Sequence, residues 1–394
     1  MGSESERTGV VRVVLAAGGT GGHVYPALSV AAELKRLRPE VQLLFIGGDR
    51  MEAEAAPAAG IPFRAISVHG LAGRGLNGIA GRARSAAELL MGIPLFQSLA
   101  ILRDFRPHAI VGTGGYVSGP VLLAAKLMGI PSMALEGNRT PGLTTKLVAK
   151  MVSLVAVAWP EQEEFFGARV RPPARVVVTG LPIRPDLADM TREEGARALG
   201  LNPSLRTLLV LGGSLGSRRI NEAVTGALRL MNGEGRLREL QVLHGTGRQN
   251  PIALTAEEAN QIAPLYRVLP YLDAEYVPAL AAADLVVARA GASTAAELAA
   301  RGLPAILIPW SGATTGEQML NAEPFAKAGA AVVIQDADLT PERLAQALKE
   351  LLGDDARRAQ MAEASRLMGR PRAAEAVARL ALELARTEAA DERR

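Results

Sequence analysis

Two glycine-rich segments of the chain have the composition of anion-binding turns. GGTGGH spans residues 18–23 and GGSLGSR spans residues 212–218, and each follows an apolar run and precedes a helical pattern. Glycine lets backbone N–H groups approach an anion closely, and the N-terminal end of the following helix is electropositive. Neither segment is a P-loop or a clean GxGxxG dinucleotide motif. The segments indicate anion binding, and tight packing of a helix on a sheet is the alternative explanation.

His23 stands at the exit of the first glycine-rich segment, where a helix is predicted to begin. The positive end of a helix favours the neutral form of an imidazole. A neutral imidazole can take a proton from a hydroxyl group, so His23 is a candidate general base. A structural histidine that caps the loop through hydrogen bonds is the alternative.

Several carboxylates and amides follow predicted strand ends, where ligands bind in open α/β sheets. Glu136 and Asn138 in ALEGN, and Gln318 in TTGEQMLNA, have side chains that can bind sugar hydroxyls. Glu297 stands three residues after Thr294, which is the spacing of a capping box; a carboxylate that accepts both hydroxyls of a ribose is the functional interpretation. An ordinary cap or loop contact is the alternative for each of these residues.

The composition excludes several classes of protein. There is no cysteine among the 394 residues, which excludes disulfides and thiolate chemistry. A net charge of +4 argues against a dedicated nucleic-acid-binding protein, although it permits a weak attraction to an anionic membrane surface. The four histidines and the acidic residues show no ligand spacing, so we expect no metal site and no cofactor. No run of roughly 18 apolar residues predicts a membrane-spanning helix.

Strand-like runs alternate with helical patterns along the whole chain, which predicts an α/β fold with parallel sheets. The order of strand, glycine-rich turn and helix occurs near residue 16 and again near residue 211. A second pair of segments also matches, with TGGYVSGP and AGASTAAE each leading through a helix to GIP or GLP. These repeats predict two doubly wound domains of related construction.

The joint between the two predicted domains lies in GLPIRP at residues 180–185, where prolines discourage a helix. We therefore predict a first domain at 8–180 and a second at 181–360. A helix at 361–390 is predicted to pack back onto the first domain.

Six motifs together resemble one known family. GGTGGHVYPAL, GTGGYVSGP, EGNRTPGLT, GGSLGSRRIN, AGASTAAEL and EQMLNA occur in this order across residues 16–322. The combination resembles the MurG family of bacterial peptidoglycan N-acetylglucosaminyltransferases, which convert lipid I to lipid II. The resemblance implies the GT-B fold, with two Rossmann-like doubly wound parallel-sheet domains facing a central cleft. It also implies an N-terminal domain for the lipid-linked acceptor and a C-terminal domain for UDP-N-acetylglucosamine.

The family's functional positions can be matched residue by residue. His23 is then the first choice for the general base and Glu136 the second, and Glu297 is the ribose carboxylate. The positions implied on the acceptor side and the sugar end of the cleft are His23, Glu136, Thr20, Gly21, Gly22, Tyr116 and Asn138. The implied donor-binding positions are Arg184, Ser214, Leu272, Ala292, Ser293, Thr294, Ala295, Ala296, Glu297 and Gln318.

The resemblance also implies a reaction and a location. The reaction is an inverting transfer of N-acetylglucosamine to the 4-hydroxyl of undecaprenyl-diphosphate-linked N-acetylmuramoyl-pentapeptide, without a metal ion, in cell-wall biogenesis. Glycine-loop amides, helix N-termini and Arg184 would stabilise the leaving diphosphate. The implied location is the cytoplasmic face of the bacterial cell membrane, as a peripheral protein. The mixed apolar and basic stretch at 76–96 suits membrane binding, and a core-facing helix is its alternative.

The chain departs from the family's pattern at five positions, which are Leu135, Gly137, Leu181, Leu215 and Glu317. Polar side chains of the family are there replaced mostly by apolar or small ones. Two alternatives therefore stay open. One is a related GT-B glycosyltransferase with another lipid acceptor or donor sugar, and the other is a non-catalytic protein that binds a nucleotide sugar.

Overall fold

A computed structural model of the protein describes residues 10–391 except 69–91, 214, 236, 238, 253, 264 and 313–315, and describes only the backbone of Ala256 and of 387–391. The chain divides into two compact units. The first unit comprises the residues up to Gly137, Pro141–Pro182 and the residues from Arg372 onward. The second comprises Asn138–Thr140 and Ile183–Pro371.

The described part of the first unit contains a sheet of seven parallel strands. They are β1 (Arg12–Ala16), β2 (Gln42–Gly47), β3 (Phe63–Ala65), β4 (Ala109–Gly112), β5 (Ser132–Glu136), β6 (Leu154–Val157) and β7 (Arg175–Val178). Their order across the sheet is β3-β2-β1-β4-β5-β6-β7. Val14 of β1, for example, lies between Leu44 of β2 and Ile110 of β4.

Helices link these strands, and the central strands of the sheet are shielded from water. The helices are α1 (Gly21–Leu37), α2 (Glu52–Ala58), α3 (Ile93–Phe105), α4 (Gly115–Met128), α5 (Leu143–Val148) and α6 (Glu161–Gly167). Strands buried on both faces consist of unbroken apolar runs rather than alternating ones. Val13, Val14, Leu15 and Ala16 of β1 accordingly have no solvent exposure.

The second unit repeats this plan. Its described strands are β8 (Arg206–Leu211), β9 (Leu240–Gly245), β10 (Leu265–Leu269), β11 (Leu285–Ala288), β12 (Ala305–Leu307) and β13 (Ala331–Val333). Their order is β10-β9-β8-β11-β12-β13, and all neighbours are parallel. The first strand of each half thus lies between its second and fourth strands, which confirms the prediction of two doubly wound parallel-sheet domains.

The helices of the second unit are α7 (Asp186–Asp189), α8 (Arg192–Ala198), α9 (Arg218–Gly233), α10 (Ala256–Ile262), α11 (Tyr276–Ala282), α12 (Ala292–Arg301), α13 (Glu317–Lys327), α14 (Pro341–Leu352) and α15 (Asp355–Met368). Thr191 and Thr255 form capping boxes with Glu194 and Glu258 at the starts of α8 and α10. Such caps satisfy backbone donors that a helix start leaves unpaired.

The C-terminal segment is divided between two helices. α15 packs against α12 and α14 inside the second unit, whereas α16 (Ala373–Asp391) packs against α1 and β4 of the first unit. The buried residues of α16 recur every three or four positions, which places them on one face. They are Ala373, Ala374, Val377, Ala378, Ala381 and Ala385. Small side chains on that face let the helix approach its neighbours closely.

Candidate active site

Each sheet has a switch point at its first strand. The connections from β1 and β4 leave in opposite directions, and the same holds for β8 and β11. In open α/β sheets, ligands bind beyond the carboxyl ends of the strands at such points. The segments after β1, β4, β8 and β11 are GGTGGH, TGGY, GGSLGS and RAGAST. The topology therefore places the glycine-rich motifs of each unit at its expected ligand-binding edge.

His23 is held by the turn that follows β4. Its Nδ1 lies 3.2 Å from the carbonyl oxygen of Thr113, and Thr113 Oγ1 donates a hydrogen bond of 2.7 Å to the carbonyl oxygen of His23. The backbone N of His23 donates to Thr20 over 3.0 Å. A Cβ at Gly114, where φ is 108°, would lie 2.5 Å from His23 Nδ1. The close approach of this turn to the imidazole therefore requires glycine.

These contacts determine the protonation of the ring. A carbonyl oxygen only accepts, so His23 Nδ1 donates to Thr113 and Nε2 is the basic atom of the neutral imidazole. Burial lowers the pKa of His23, and the hydrogen bond to the Thr113 carbonyl partly offsets that effect. The neutral form thus predominates near pH 7, with desolvation as its main cause rather than the helix end that the sequence suggested.

Tyr116 lies against the first glycine-rich segment. A Cβ at Gly19 would be 3.1 Å from the tyrosine ring, and the guanidinium of Arg50 lies 5.9 Å from the ring centroid. The hydroxyl of Tyr116 is buried and has no hydrogen-bond partner among the described residues. Burial also raises the pKa of Tyr116, so its hydroxyl keeps its proton.

Glu136 uses one of its carboxylate oxygens in a structural hydrogen bond. It is buried at the end of β5, and its Oε2 accepts a hydrogen bond of 2.8 Å from the backbone N of Gly142, just before α5. Asn138 and Gly21 are half-buried, whereas Thr20 and Gly22 are exposed. His23 therefore remains the first choice for the base and Glu136 the second.

Glu297 of the second unit is a buried carboxylate with a partner on each oxygen. Arg184 Nη1 donates to Oε1 over 2.8 Å, and the Tyr276 hydroxyl donates to Oε2 over 2.6 Å. The guanidinium of Arg184 also stacks 4.4 Å from the Tyr276 ring centroid. Each carboxylate oxygen has two lone-pair sites, so one on each remains for a ligand hydroxyl. The ribose interpretation of Glu297 requires these two sites to accept hydrogen bonds from neighbouring hydroxyl groups.

The capping-box interpretation of Glu297 is wrong. α12 begins at Ala292 with Gly291 as its N-cap, so Thr294 already has helical geometry and cannot cap. Burial raises the pKa of Glu297, and the positive charge of Arg184 and the hydrogen bonds act in the opposite direction. The glutamate is thus held by tertiary contacts and not by the start of its own helix.

The start of α12 carries the predicted donor-binding stretch. Its members are Ala292, Ser293, Thr294, Ala295 and Ala296. The first N–H groups of a helix lack intrahelical partners and attract anions. The Ser293 hydroxyl is buried without a hydrogen-bond partner among the described residues. This helix start therefore combines free backbone donors with a free hydroxyl.

The remaining predicted donor residues make local contacts. Leu272 is buried and packs against the end of β9, where a Cβ at Gly245 would lie 2.2 Å from its Cδ1. Gln318 is half-buried, and its Oε1 accepts a hydrogen bond of 2.9 Å from the backbone N of Trp310. Ser214 lies outside the described residues.

Two features are absent from the described part of the chain. No group of three or more His, Cys, Asp or Glu side chains there is arranged to hold a metal ion. No helix in that part of the chain is long and apolar enough to cross a membrane.

Known proteins match almost the whole chain. Residues 13–157 match the N-terminal domain of glycosyltransferase family 28, and residues 207–377 match its C-terminal domain. A relative from Desulforudis audaxviator is 40% identical over 381 residues, which are 93% of this chain and 96% of the relative. One from Moorella thermoacetica is 40% identical over 377 residues, 94% of this chain and 98% of the relative. The chain belongs to the MurG family.

The two relatives carry the same name, UDP-N-acetylglucosamine–N-acetylmuramyl-(pentapeptide) pyrophosphoryl-undecaprenol N-acetylglucosamine transferase. The crystal structure of MurG from Acinetobacter baumannii is also similar to this chain. Its TM-score is 0.69 and its sequence identity 28%, and the match covers 95% of this chain and all of that one. The GT-B fold implied by the motifs is thereby confirmed.

Three departures from the MurG-family pattern lie in the first unit, and the two leucines among them are buried. Leu135 is part of the core, where its side chain is 2% exposed. Gly137 and Leu181 lie in contact, because a Cβ at Gly137 would be 2.7 Å from Leu181 Cδ1. The missing side chain at one position thus makes room for the leucine at the other, which is buried. Leu215, in contrast, is exposed.

Sequence reasoning missed a charged cluster that supports the second glycine-rich segment of this MurG-family chain. Arg289, just after β11, donates to Asp336 Oδ1 over 2.6 Å and to Ser217 Oγ over 2.7 Å. Ser217 also accepts from Ile220 N over 3.3 Å and caps α9. Nothing in the local sequence joins these residues, which lie on separate elements.

A buried polar network ties the loop after β9 to α9. Asn221 Nδ2 donates to the carbonyl oxygens of Thr246 and Asn250, over 3.1 and 2.7 Å, so its Oδ1 accepts from His244 Nε2 over 3.1 Å. The Tyr266 hydroxyl then donates to His244 Nδ1 over 2.6 Å. Burial lowers the pKa of His244 to about 3, so this histidine is a neutral structural residue.

Proposed function

We propose that the protein transfers N-acetylglucosamine from UDP-N-acetylglucosamine to N-acetylmuramyl-(pentapeptide) pyrophosphoryl-undecaprenol. The observation that carries this proposal is the 40% identity, over 93% of the chain, to a relative named for that reaction. The first unit binds the lipid-linked acceptor and the second binds the nucleotide sugar. The hydrogen bonds that hold His23 in the first unit and Glu297 in the second support this division of roles.

The transfer is a single displacement with inversion. The 4-hydroxyl of the acceptor forms a bond to the anomeric carbon, the bond from that carbon to the diphosphate breaks, and UDP leaves from the opposite face. The hydroxyl proton passes to Nε2 of His23, the atom that the Thr113 hydrogen bond leaves basic. Glu136 is the second choice for this role.

The leaving diphosphate is stabilised by backbone donors and by charge. The free N–H groups at the start of α12 and the amides of the second glycine-rich segment serve as fixed donors to developing negative charge. Arg184 uses one Nη1 donor on Glu297. Its guanidinium adds positive charge beside Glu297, the carboxylate proposed to bind the ribose.

A product assay tests the proposed function. Purified protein with UDP-N-acetylglucosamine and lipid I is expected to release UDP and to yield a lipid product heavier by one N-acetylglucosaminyl residue. Parallel reactions contain UDP-glucose as donor or diacylglycerol as acceptor. Faster turnover of either substitute would identify a related glycosyltransferase instead, and nucleotide-sugar binding without UDP release would identify a binding protein.

We also propose that the first unit binds a membrane surface at the cytoplasmic face. Phe96 at the start of α3, and Leu143 and Leu147 on α5, are exposed, and Lys146 and Lys150 lie beside the two leucines. α3 and α5 both pack against α4. Exposed apolar side chains among basic ones suit insertion into an anionic interface. Most of the stretch 76–96 lies outside the described residues.

Leu143→Asp and Leu147→Asp together are expected to weaken binding to anionic vesicles at least about tenfold. Each leucine contributes roughly 1 kcal/mol or more when it leaves water, and 1.4 kcal/mol is a factor of ten. Cosedimentation with phosphatidylglycerol vesicles measures the bound fraction. Leu367→Asp is the matched control, since Leu367 is at least as exposed as the two leucines but lies on α15 of the second unit. Equal losses in both variants would contradict the assignment.

A further inference from the structure

Glu52 is a carboxylate wholly withdrawn from solvent that none of the motifs includes. It stands at the start of α2 and has no exposed surface. Its Oε1 accepts a hydrogen bond of 3.0 Å from the backbone N of Gly48, and its Oε2 accepts one of 3.3 Å from the backbone N of Gly19. A buried carboxylate is costly unless hydrogen bonds compensate it. Glu52 thus bridges the loops that follow β1 and β2.

The first glycine-rich segment is confined between Glu52 and α4. A Cβ at Gly18 would lie 2.7 Å from Glu52 Oε1 on one side and 2.5 Å from Val117 Cγ2 on the other. From the α4 side, a Cβ at Gly115 would lie 2.2 Å from the carbonyl oxygen of Gly18. Both neighbours approach so closely that only glycine fits between them. The Glu52 carboxylate therefore forms part of the packing that encloses the glycine-rich loop.

We propose that Glu52 is a positioning residue for the acceptor side of the reaction. By fixing Gly19 it fixes the chain that enters α1, where the carbonyl of Thr20 accepts from His23 N over 3.0 Å. His23 and the loop amides are held in place through this chain of backbone contacts. This inference rests on the proposed function, in that the first unit binds the acceptor.

The carboxylate is required for its two acceptor oxygens, and its shape alone is not enough. Both of its neighbours are N–H donors, Gly19 and Gly48, and a carboxylate offers an acceptor to each. The amide of Glu52→Gln would turn an NH₂ donor toward one of them. Two buried donors that face each other cannot form a hydrogen bond. The glutamine variant would therefore lose one of the two hydrogen bonds although its side chain has the same size. Glu52→Gln is therefore a test with little change in volume.

Glu52→Gln is expected to lower kcat/KM for the lipid-linked acceptor about 10- to 100-fold, because displacements near 1 Å have effects of this size. KM for UDP-N-acetylglucosamine should change less than about twofold, since the nucleotide binds to the other unit. Glu33→Gln is the matched control. Glu33 is also buried in the first unit, but it pairs with Arg36 at 2.8 Å and not with a loop. The proposal would be overturned if Glu52→Gln and Glu33→Gln changed kcat/KM for the acceptor and KM for the donor to the same extent.

Amide hydrogen exchange without substrate gives a second readout. Peptides that contain Gly19 and Gly48 should exchange faster in Glu52→Gln and at wild-type rates in Glu33→Gln. Unchanged exchange in Glu52→Gln would overturn the inference even if transfer were slower. If Glu52→Gln does not fold, Glu52→Asp keeps the charge on a shorter stem, and an equal fall in the acceptor and donor parameters would then overturn it. A wild-type protein without transfer activity would refute the proposed function, while the exchange data would still test the positioning.

Discussion

Replacing His23 by alanine is expected to lower turnover about 10²- to 10⁴-fold, which is the usual contribution of a positioned general base. The physical reason is the proton arrangement of the ring. Nδ1 donates to the carbonyl of Thr113, so Nε2 is basic and receives the acceptor's proton. Affinity for UDP should change little, because the nucleotide is assigned to the second unit. Steady-state kinetics and calorimetry with UDP measure the two quantities.

The pH profile provides the sharper criterion for His23. The active form is neutral, so wild-type activity should fall as pH drops through the pKa of His23, which burial places below its ordinary value. This acidic limb should disappear in His23→Ala. His108→Ala is the matched control, since His108 precedes β4 at the opposite edge of the sheet and contacts Arg12. A loss below about tenfold with the acidic limb retained would transfer the role to Glu136.

Glu297→Ala is expected to weaken donor binding about 10- to 150-fold. Hydrogen bonds to a charged group contribute roughly 1.5–3 kcal/mol, and this carboxylate is assigned two ribose hydroxyls. Donor affinity of the wild type should also decrease as pH falls through the pKa of Glu297, which burial raises, so the loss begins at a higher pH than for an exposed carboxylate. Calorimetric titration with UDP over a range of pH checks both effects.

The same substitution also removes a hydrogen-bond partner of two half-buried side chains, Arg184 and Tyr276. Thermal unfolding must therefore be followed beside binding, and Tyr276→Phe is the informative control. It removes one hydrogen bond to the carboxylate and leaves the carboxylate itself, so donor affinity should fall less than about tenfold. A Glu297→Ala protein that melts at a lower temperature but binds UDP with unchanged affinity would reduce Glu297 to a structural role.

The sequence predicted the site unevenly, and the reasons differ from residue to residue. His23 could be predicted because it directly follows a glycine-rich turn, and such turns have a local signature. The depressed pKa of His23 was expected from the helix end, but burial is its main cause. For Glu297 the local capping-box pattern was misleading. One hydrogen bond to its carboxylate comes from Tyr276, which lies on a different helix, α11. The role of Glu52 was not predicted, because a single glutamate in a helical pattern belongs to no recognisable motif.

By itself, the sequence determined the fold class, the two related halves and the glycine-rich turns. These are properties of short windows: apolar runs define the strands, and glycine marks the turns where a backbone must approach closely. Only the tertiary structure decided which groups meet. Arg184 and Glu297 are 113 residues apart, and Gly19 and Glu52 are 33 apart. Their contacts depend on the order of the strands and the packing of helices on the sheets, which no local pattern contains.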